Sequence, residues 1–205
     1  AVGPNAKVPK IAEKVAQQVG QDATVLDFGA GKHAVHAGIL SGHGVDVTPY
    51  EYGENKSPVH DSNALNEKYC VVYASNVLNV QDSLQELQKT IQEMLESTEV
   101  NGHCIANLPN SPRKGAYDGM SSDEATQMVQ GILKKAFGNC EIIEGGNSAP
   151  IFHCMRERRR SYRRLYNFLR QRGHGRAGAL RVVRYARQLS LFDEPTVSSK
   201  VFASK

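Results

Sequence analysis

Apolar and polar positions alternate along this chain in blocks of two kinds. Thr24-Val25-Leu26-Asp27-Phe28 is a short apolar run holding one acid, and Gly29-Ala30-Gly31-Lys32 follows at once. That pattern predicts a strand over 23–28 turning tightly into a helix over 33–40. Val45 to Tyr50 reads as a second strand, and a third short segment surrounds Val59-His60-Asp61. Tyr69-Cys70-Val71-Val72-Tyr73-Ala74-Ser75 is almost continuously apolar, as expected of a central parallel strand. Leu84, Leu87, Ile91, Met94 and Leu95 form a helical stripe within 81–96, and Gly102 to Leu108 is a further strand. Ser121 and Glu124 form a capping-box signal for a helix carrying Met128, Val129, Ile132 and Leu133, closed by Gly138. Cys140–Ile143 and Pro150–Met155 enclose Gly145-Gly146-Asn147 and predict a hairpin. An N-terminal helix over 9–19, with Pro9 at its start and Gly20 at its end, completes the set. Strands alternating with helices predict an α/β fold with right-handed crossovers and a sheet covered on both faces.

Composition changes this picture in one place. Twelve of the thirteen arginines fall between Arg156 and Arg187, where Glu157 is the only acid. That stretch carries +11 within a chain of net charge +4, so the remainder carries −7. Lysine does the reverse, with none between Lys135 and Lys200. The shift predicts a globular domain over 1–155 and a basic extension over 156–205. No apolar run approaches membrane-spanning length, and Ala1-Val2-Gly3-Pro4 shows no signal-peptide pattern, so a cytoplasmic protein without membrane contact is expected. Cys70, Cys104, Cys140 and Cys154 are widely spaced, with no C-x-x-C, and read as buried free thiols in a reducing compartment. His33 and His36 stand one helical turn apart with no evident third ligand; they read as helix-surface residues, and no metal is expected.

The glycine turn carries the first functional signal. A dinucleotide fold would present G-x-G-x-x-G with a phosphate over the helix start, whereas this turn has only Gly29-Ala30-Gly31 before Lys32-His33-Ala34. An acid two residues before the first glycine suits a ligand bearing an ammonium group better than a pyrophosphate. With this strand, acid and glycine turn, the chain resembles the class I S-adenosylmethionine-dependent methyltransferases over about 9–155. The resemblance implies a Rossmann-like sheet flanked by helices, S-adenosylmethionine as cofactor, and a site at the strand ends. It assigns Asp27, with Phe28 and Ala30 beside it, to the methionine moiety, and the Gly29 and Gly31 backbones to close approach. It assigns an acid after strand two to the ribose hydroxyls, where a carboxylate offers two oxygens at diol spacing. Asp46 and Glu51 both compete for that role, and Glu51, at the strand end, fits better. Asp61 resembles the carboxylate that takes the adenine amino group, and Ser75 and Asn76 would lie beside the sulfonium and methyl.

No catalytic base is evident. Amino-group methylation of DNA bases typically uses D/N-P-P-Y/F after strand four, where this chain has Ser75-Asn76-Val77-Leu78; Asn107-Leu108-Pro109-Asn110 is a distant echo one strand later. Methylation at cytosine carbon 5 needs a Pro-Cys pair, which is absent. Val72 to Val80 resembles the fourth motif of methyltransferases associated with DNA phosphorothioate modification.

The basic extension reads as two amphipathic helices. Tyr162, Leu165, Tyr166 and Leu169 share one face, with Ala179, Val182, Val183 and Ala186 on the face of the second. Arg159, Arg160, Arg163, Arg164, Arg170, Arg172, Arg181 and Arg184 are then available to nucleic-acid phosphates. Gln188-Leu189-Ser190-Leu191-Phe192 resembles the peptide by which bacterial replication and repair proteins dock on the DNA polymerase sliding clamp. That resemblance gives Gln188 a hydrogen-bonding role and Leu189, Leu191 and Phe192 apolar pockets. The combined expectation is a bacterial or phage methyltransferase working on or near DNA. A methyltransferase for RNA, protein or a small molecule with a structural tail, and a non-catalytic clamp-binding or nucleic-acid-binding protein, stay open.

Overall fold

The structure, a computed structural model, describes residues 22–110, 115–144, 149–157 and 162–188. The predicted helix over 9–19, Arg159 and Arg160, and the clamp-like Leu189, Leu191 and Phe192 lie outside the described residues, as do the side chains of Arg163, Arg164 and Gln188. The chain forms two compact units, Ala1–Glu157 and Arg158–Lys205.

The first unit contains a six-stranded sheet of order β2-β1-β3-β4-β6-β5. Its strands are β1 (Thr24–Phe28), β2 (Asp46–Tyr50), β3 (Tyr69–Ala74), β4 (Thr98–Asn107), β5 (Gly138–Glu144) and β6 (Ile151–Arg156). β2, β1, β3 and β4 run parallel, whereas β6 is antiparallel to both β4 and β5. The crossover helices are α1 (Val35–Gly42), α2 (Leu84–Ser97) and α3 (Ser122–Phe137).

Side-chain alternation along the strands sorts the core into two layers. Leu26, Phe28, Val72, Ala74, Cys104 and Ala106 face α2 and α3, where they meet Leu87, Ile91, Met94, Val129, Leu133 and Phe137. Val25, Val71 and Ile105 form the opposite layer, and Leu40 of α1 packs on Tyr73 beside it. Helices on both faces satisfy the expectation from the apolar runs. The α3 capping box is complete, with Ser121 Oγ accepting from Glu124 N and Glu124 returning a carboxylate to Ser121 N.

Four expectations are corrected. The segment around Val59-His60-Asp61 is not a strand but a turn between short 3-10 helices at Gly53–Asn55 and Ala64–Asn66. Local side-chain bonds replace ladder pairing there: Asp61 Oδ1 accepts from Asn63 N (2.7 Å) and His60 Nδ1 from Ser57 N (2.9 Å). Helix α2 begins after Ser83, whose Oγ accepts from Glu86 N (3.2 Å), so Gln81 and Asp82 precede it. His36 is buried rather than on the helix surface, with its Nδ1 3.3 Å from the Tyr73 hydroxyl, because its side of α1 packs on the sheet. Cys140 and Cys154 are not free thiols: they face each other in the β5–β6 register and form a disulfide of 2.09 Å. Cys70 and Cys104 remain free, and Cys104 is buried, which pushes its thiol well above the usual range.

The second unit contains α4 (Tyr162–Gln171) and α5 (Arg176–Gln188), which pack on each other. Gly173, at φ +85°, closes α4, and His174 N donates to Leu169 O (3.1 Å). Among the described residues, no helix is long and apolar enough to cross a membrane.

Candidate functional site

The chain leaves β1 through a turn that Gly29 and Gly31 make possible for different reasons. Both have positive φ, +76° and +71°. A Cβ on Gly29 would lie 2.4 Å from Val77 Cγ2, so the turn can pack on the end of β3 only without a side chain. A Cβ on Gly31 would meet nothing within 4 Å; this glycine faces open space. Gly29 N and Ala30 N both donate to Tyr50 O at 2.9 Å, which ties the turn to the end of β2.

The residue after Tyr50 completes the turn. Glu51 Oε2 accepts from Gly31 N (2.7 Å) and Oε1 from Tyr52 N (2.9 Å), holding a buried carboxylate with both oxygens oriented. From the other side His60 braces the same loop. Its Nδ1 accepts from Ser57 N, which leaves the proton on Nε2 to donate to Gly31 O (2.9 Å). Nothing in the sequence around His60 signalled that role.

Beside this turn opens a cleft of about 620 Å³, within the size range of small-molecule sites. Gly29, Gly31, Glu51, Ser75 and Asn76 line it together, drawn from the ends of three parallel strands. Tyr50, Tyr52, Gln81, Thr90 and several charged residues of α2 complete the walls, none of them singled out by sequence. Gln81 is a buried strut: its Nε2 donates to Val77 O (2.8 Å) and its Oε1 accepts from Thr90 Oγ1 (3.1 Å). Asn76 sits in the left-handed region at φ +59°. Asn107, at the end of the next strand, holds it there, accepting from Asn76 N (2.7 Å) and donating from Nδ2 to Asn76 Oδ1 (3.1 Å).

Asp27, Phe28, Ala30 and Asp61 do not line the cleft. Phe28 is core, its ring 5.1 Å from that of Tyr50, and Ala30 is buried near α1. Asp61 is exposed, with Oδ1 committed to Asn63 N. Asp46 opens β2, at the end of the strand away from the cleft. Asp27 is 1% exposed and accepts the Ala37 N–H of α1, while its Oδ2 has no partner among the described residues. Burial pushes its carboxyl up to about 7, against the pull of the Ala37 N–H, and the nearby Glu51 charge adds to the rise. His36 Nε2 is likewise buried without a partner, and burial lowers that imidazole. Among the described residues no group of three or more His, Cys, Asp or Glu is arranged to hold a metal ion.

No family model matches the chain, and no curated protein does. Solved structures do match. The chain is similar to SAM-bound CalS10, an amino pentose methyltransferase from Micromonospora echinaspora, at TM-score 0.52 and 14% identity over 74% of this chain and 92% of that one. It is similar to the N-methyltransferase NodS from Bradyrhizobium japonicum WM9 at TM-score 0.51 and 13% identity, over 72% and 93%. This is the Rossmann-like methyltransferase fold. TehB from Haemophilus influenzae aligns at TM-score 0.49 and 17% identity over 73% of this chain, which spans 62% of that structure's length. The cleft lies where open α/β sheets take their ligands, outside the carboxyl ends of the parallel strands.

Proposed function

We propose that this chain is an S-adenosylmethionine-dependent methyltransferase that acts on or near DNA and docks on the bacterial sliding clamp. The observation that carries the cofactor assignment is the Glu51–Gly31 pairing in the lining of the cleft. One carboxylate, oriented by two backbone N–H groups, is offered to a ribose diol beside a glycine turn that leaves room for the ligand. The cleft fits the cofactor on three counts: its volume, the open space at Gly31 that a Cβ would fill, and the paired oxygens of Glu51. Bound there, S-adenosylmethionine supplies an electrophilic methyl group on a sulfonium. Glu51 would accept both ribose hydroxyls, the Gly29 and Gly31 backbones would line the methionine end, and Ser75 and Asn76 would stand beside the methyl. Asp27 would act one layer deeper, setting the glycine turn through α1. Asp61 lies outside the cleft lining, and its second oxygen would meet the adenine amino group where the adenine extends beyond the cleft. With no base assigned, alignment and exclusion of water are the contributions asked of these residues.

The DNA part of the reading rests on charge and on a peptide. Arg170, Arg172, Arg181 and Arg184 are exposed in the second unit, whose sequence is the most basic of the chain. Gln188, Leu189, Leu191 and Phe192 would anchor to the clamp. Calorimetry with S-adenosylmethionine, followed by transfer of a labelled methyl group into DNA, RNA and protein fractions, tests the proposal. Absence of cofactor binding removes the methyltransferase reading, and label in RNA or protein alone removes DNA as acceptor.

A further inference from the structure

The cleft walls carry an unbalanced charge. Glu51, Asp82, Glu86 and Glu93 line it against a single ammonium, Lys89, so negative charge prevails by three. Lys89 lies 3.7 Å from Glu93 one helical turn away, and these two largely offset each other. Glu86 is held on the α2 wall by its capping role, with Oε2 accepting from Asp82 N (3.1 Å) and its own N–H donating to Ser83 Oγ. Glu51 is held on the β2 wall by Gly31 and Tyr52. Carboxylates therefore stand on two walls of one cavity, and a cleft in which one sign of charge prevails focuses its field on whatever enters.

We infer that the cleft reads the charge of its occupant and holds S-adenosylmethionine in preference to S-adenosylhomocysteine. The two share adenine, ribose and the amino-acid zwitterion, and differ in a methyl group and one positive charge at sulfur. This inference rests on the methyltransferase reading above and adds Glu51 and Glu86 as residues that discriminate cofactor from spent product. By Coulomb's law, one carboxylate about 8–10 Å from a unit positive charge in water-like surroundings contributes roughly a twofold preference. Several together give about five- to tenfold at low salt.

The test is calorimetric titration of the full chain with each compound at about 20 mM and about 500 mM salt, across which the Debye length shrinks several-fold. S-Adenosylmethionine should bind about five- to tenfold tighter at low salt, and the gap should at least halve at high salt. Glu86→Gln keeps a residue able to cap the helix and should narrow the gap, whereas Lys89→Gln should widen it. Opposite shifts from two substitutions on one helix are not what a general loss of packing would produce, and melting curves confirm that both variants fold. Equal or tighter binding of the thioether by the native chain overturns the inference while leaving the methyltransferase reading intact. A ratio that neither substitution moves also overturns it. Failure of both compounds to bind overturns the methyltransferase reading, and this inference with it.

Discussion

Glu51 Oε2 accepts the Gly31 N–H at 2.7 Å across twenty residues of chain, joining the end of one strand to the turn after its neighbour. The parallel register makes the bond possible: Phe28 pairs with Tyr50, so the residues just beyond each strand meet. Glu51→Ala removes a charged partner from whatever diol sits there and leaves the Gly31 N–H without its acceptor. S-Adenosylmethionine affinity should fall by about 1.5–3 kcal/mol, roughly ten- to 150-fold in Kd by calorimetry. Unchanged affinity would remove Glu51 from the ribose site.

Asp27 should make stability depend on pH in a direction unusual for a carboxylate. Its carboxyl rises from 3.8 to about 7 in the fold, so the native state holds a proton that the unfolded chain has released between those values. Stability then decreases as pH rises through that window, and the cost of the buried charge is fully present above about 7. Asp27→Asn keeps an acceptor for the Ala37 N–H and removes the titration. Urea melts from pH 5 to 8 should show the native chain losing stability relative to this variant. A constant difference between the two would mean that Asp27 stays ionised throughout.

The two glycines of the turn should respond differently to alanine. At Gly29 the new Cβ meets Val77 Cγ2 at 2.4 Å, in addition to backbone strain, and the loss of stability should reach about 2–4 kcal/mol. At Gly31 only the positive φ opposes the change, about 1–2 kcal/mol, yet the methyl group would enter the open space beside the cleft. Gly29→Ala is therefore expected to act on the denaturation midpoint, and Gly31→Ala chiefly on ligand affinity. A reversed ranking would contradict the assigned packing.

Replacing Arg170, Arg172, Arg181 and Arg184 with Gln in the full chain tests the nucleic-acid reading. The slope of log affinity for duplex DNA against log salt should flatten by up to ~0.9 for each phosphate that is no longer neutralised, while cofactor binding stays unchanged. Leu191→Ala with Phe192→Ala should separately abolish capture by the bacterial clamp, since each apolar anchor is worth about 2 kcal/mol or more. Thermal stability should hold in that variant. If it falls, the segment is packing rather than docking.

What the sequence determined by itself were features set by neighbouring residues. The Val25–Phe28 and Tyr69–Ala74 runs, the Leu87–Met94 stripe, the Ser121 capping box and the glycine turn each follow from local periodicity or backbone preference, and together they dictate the α/β architecture. Glu51 was legible because a strand end is a local feature, and parallel pairing carries that end to the glycine turn. Tertiary structure alone decided the rest. It buried Asp27 beneath α1, where the carboxylate accepts the Ala37 N–H, because alternation along β1 puts its side chain on the face that Val25 shares. It joined Cys140 to Cys154 by register, and braced Asn76 with Asn107 and Gly31 with His60 across separations of 31 and 29 residues. Pairings of that kind leave no periodic trace in the chain. They arise only once the strands lie side by side, because hydrogen bonds and packing act over a few ångströms of space and are blind to distance along the sequence.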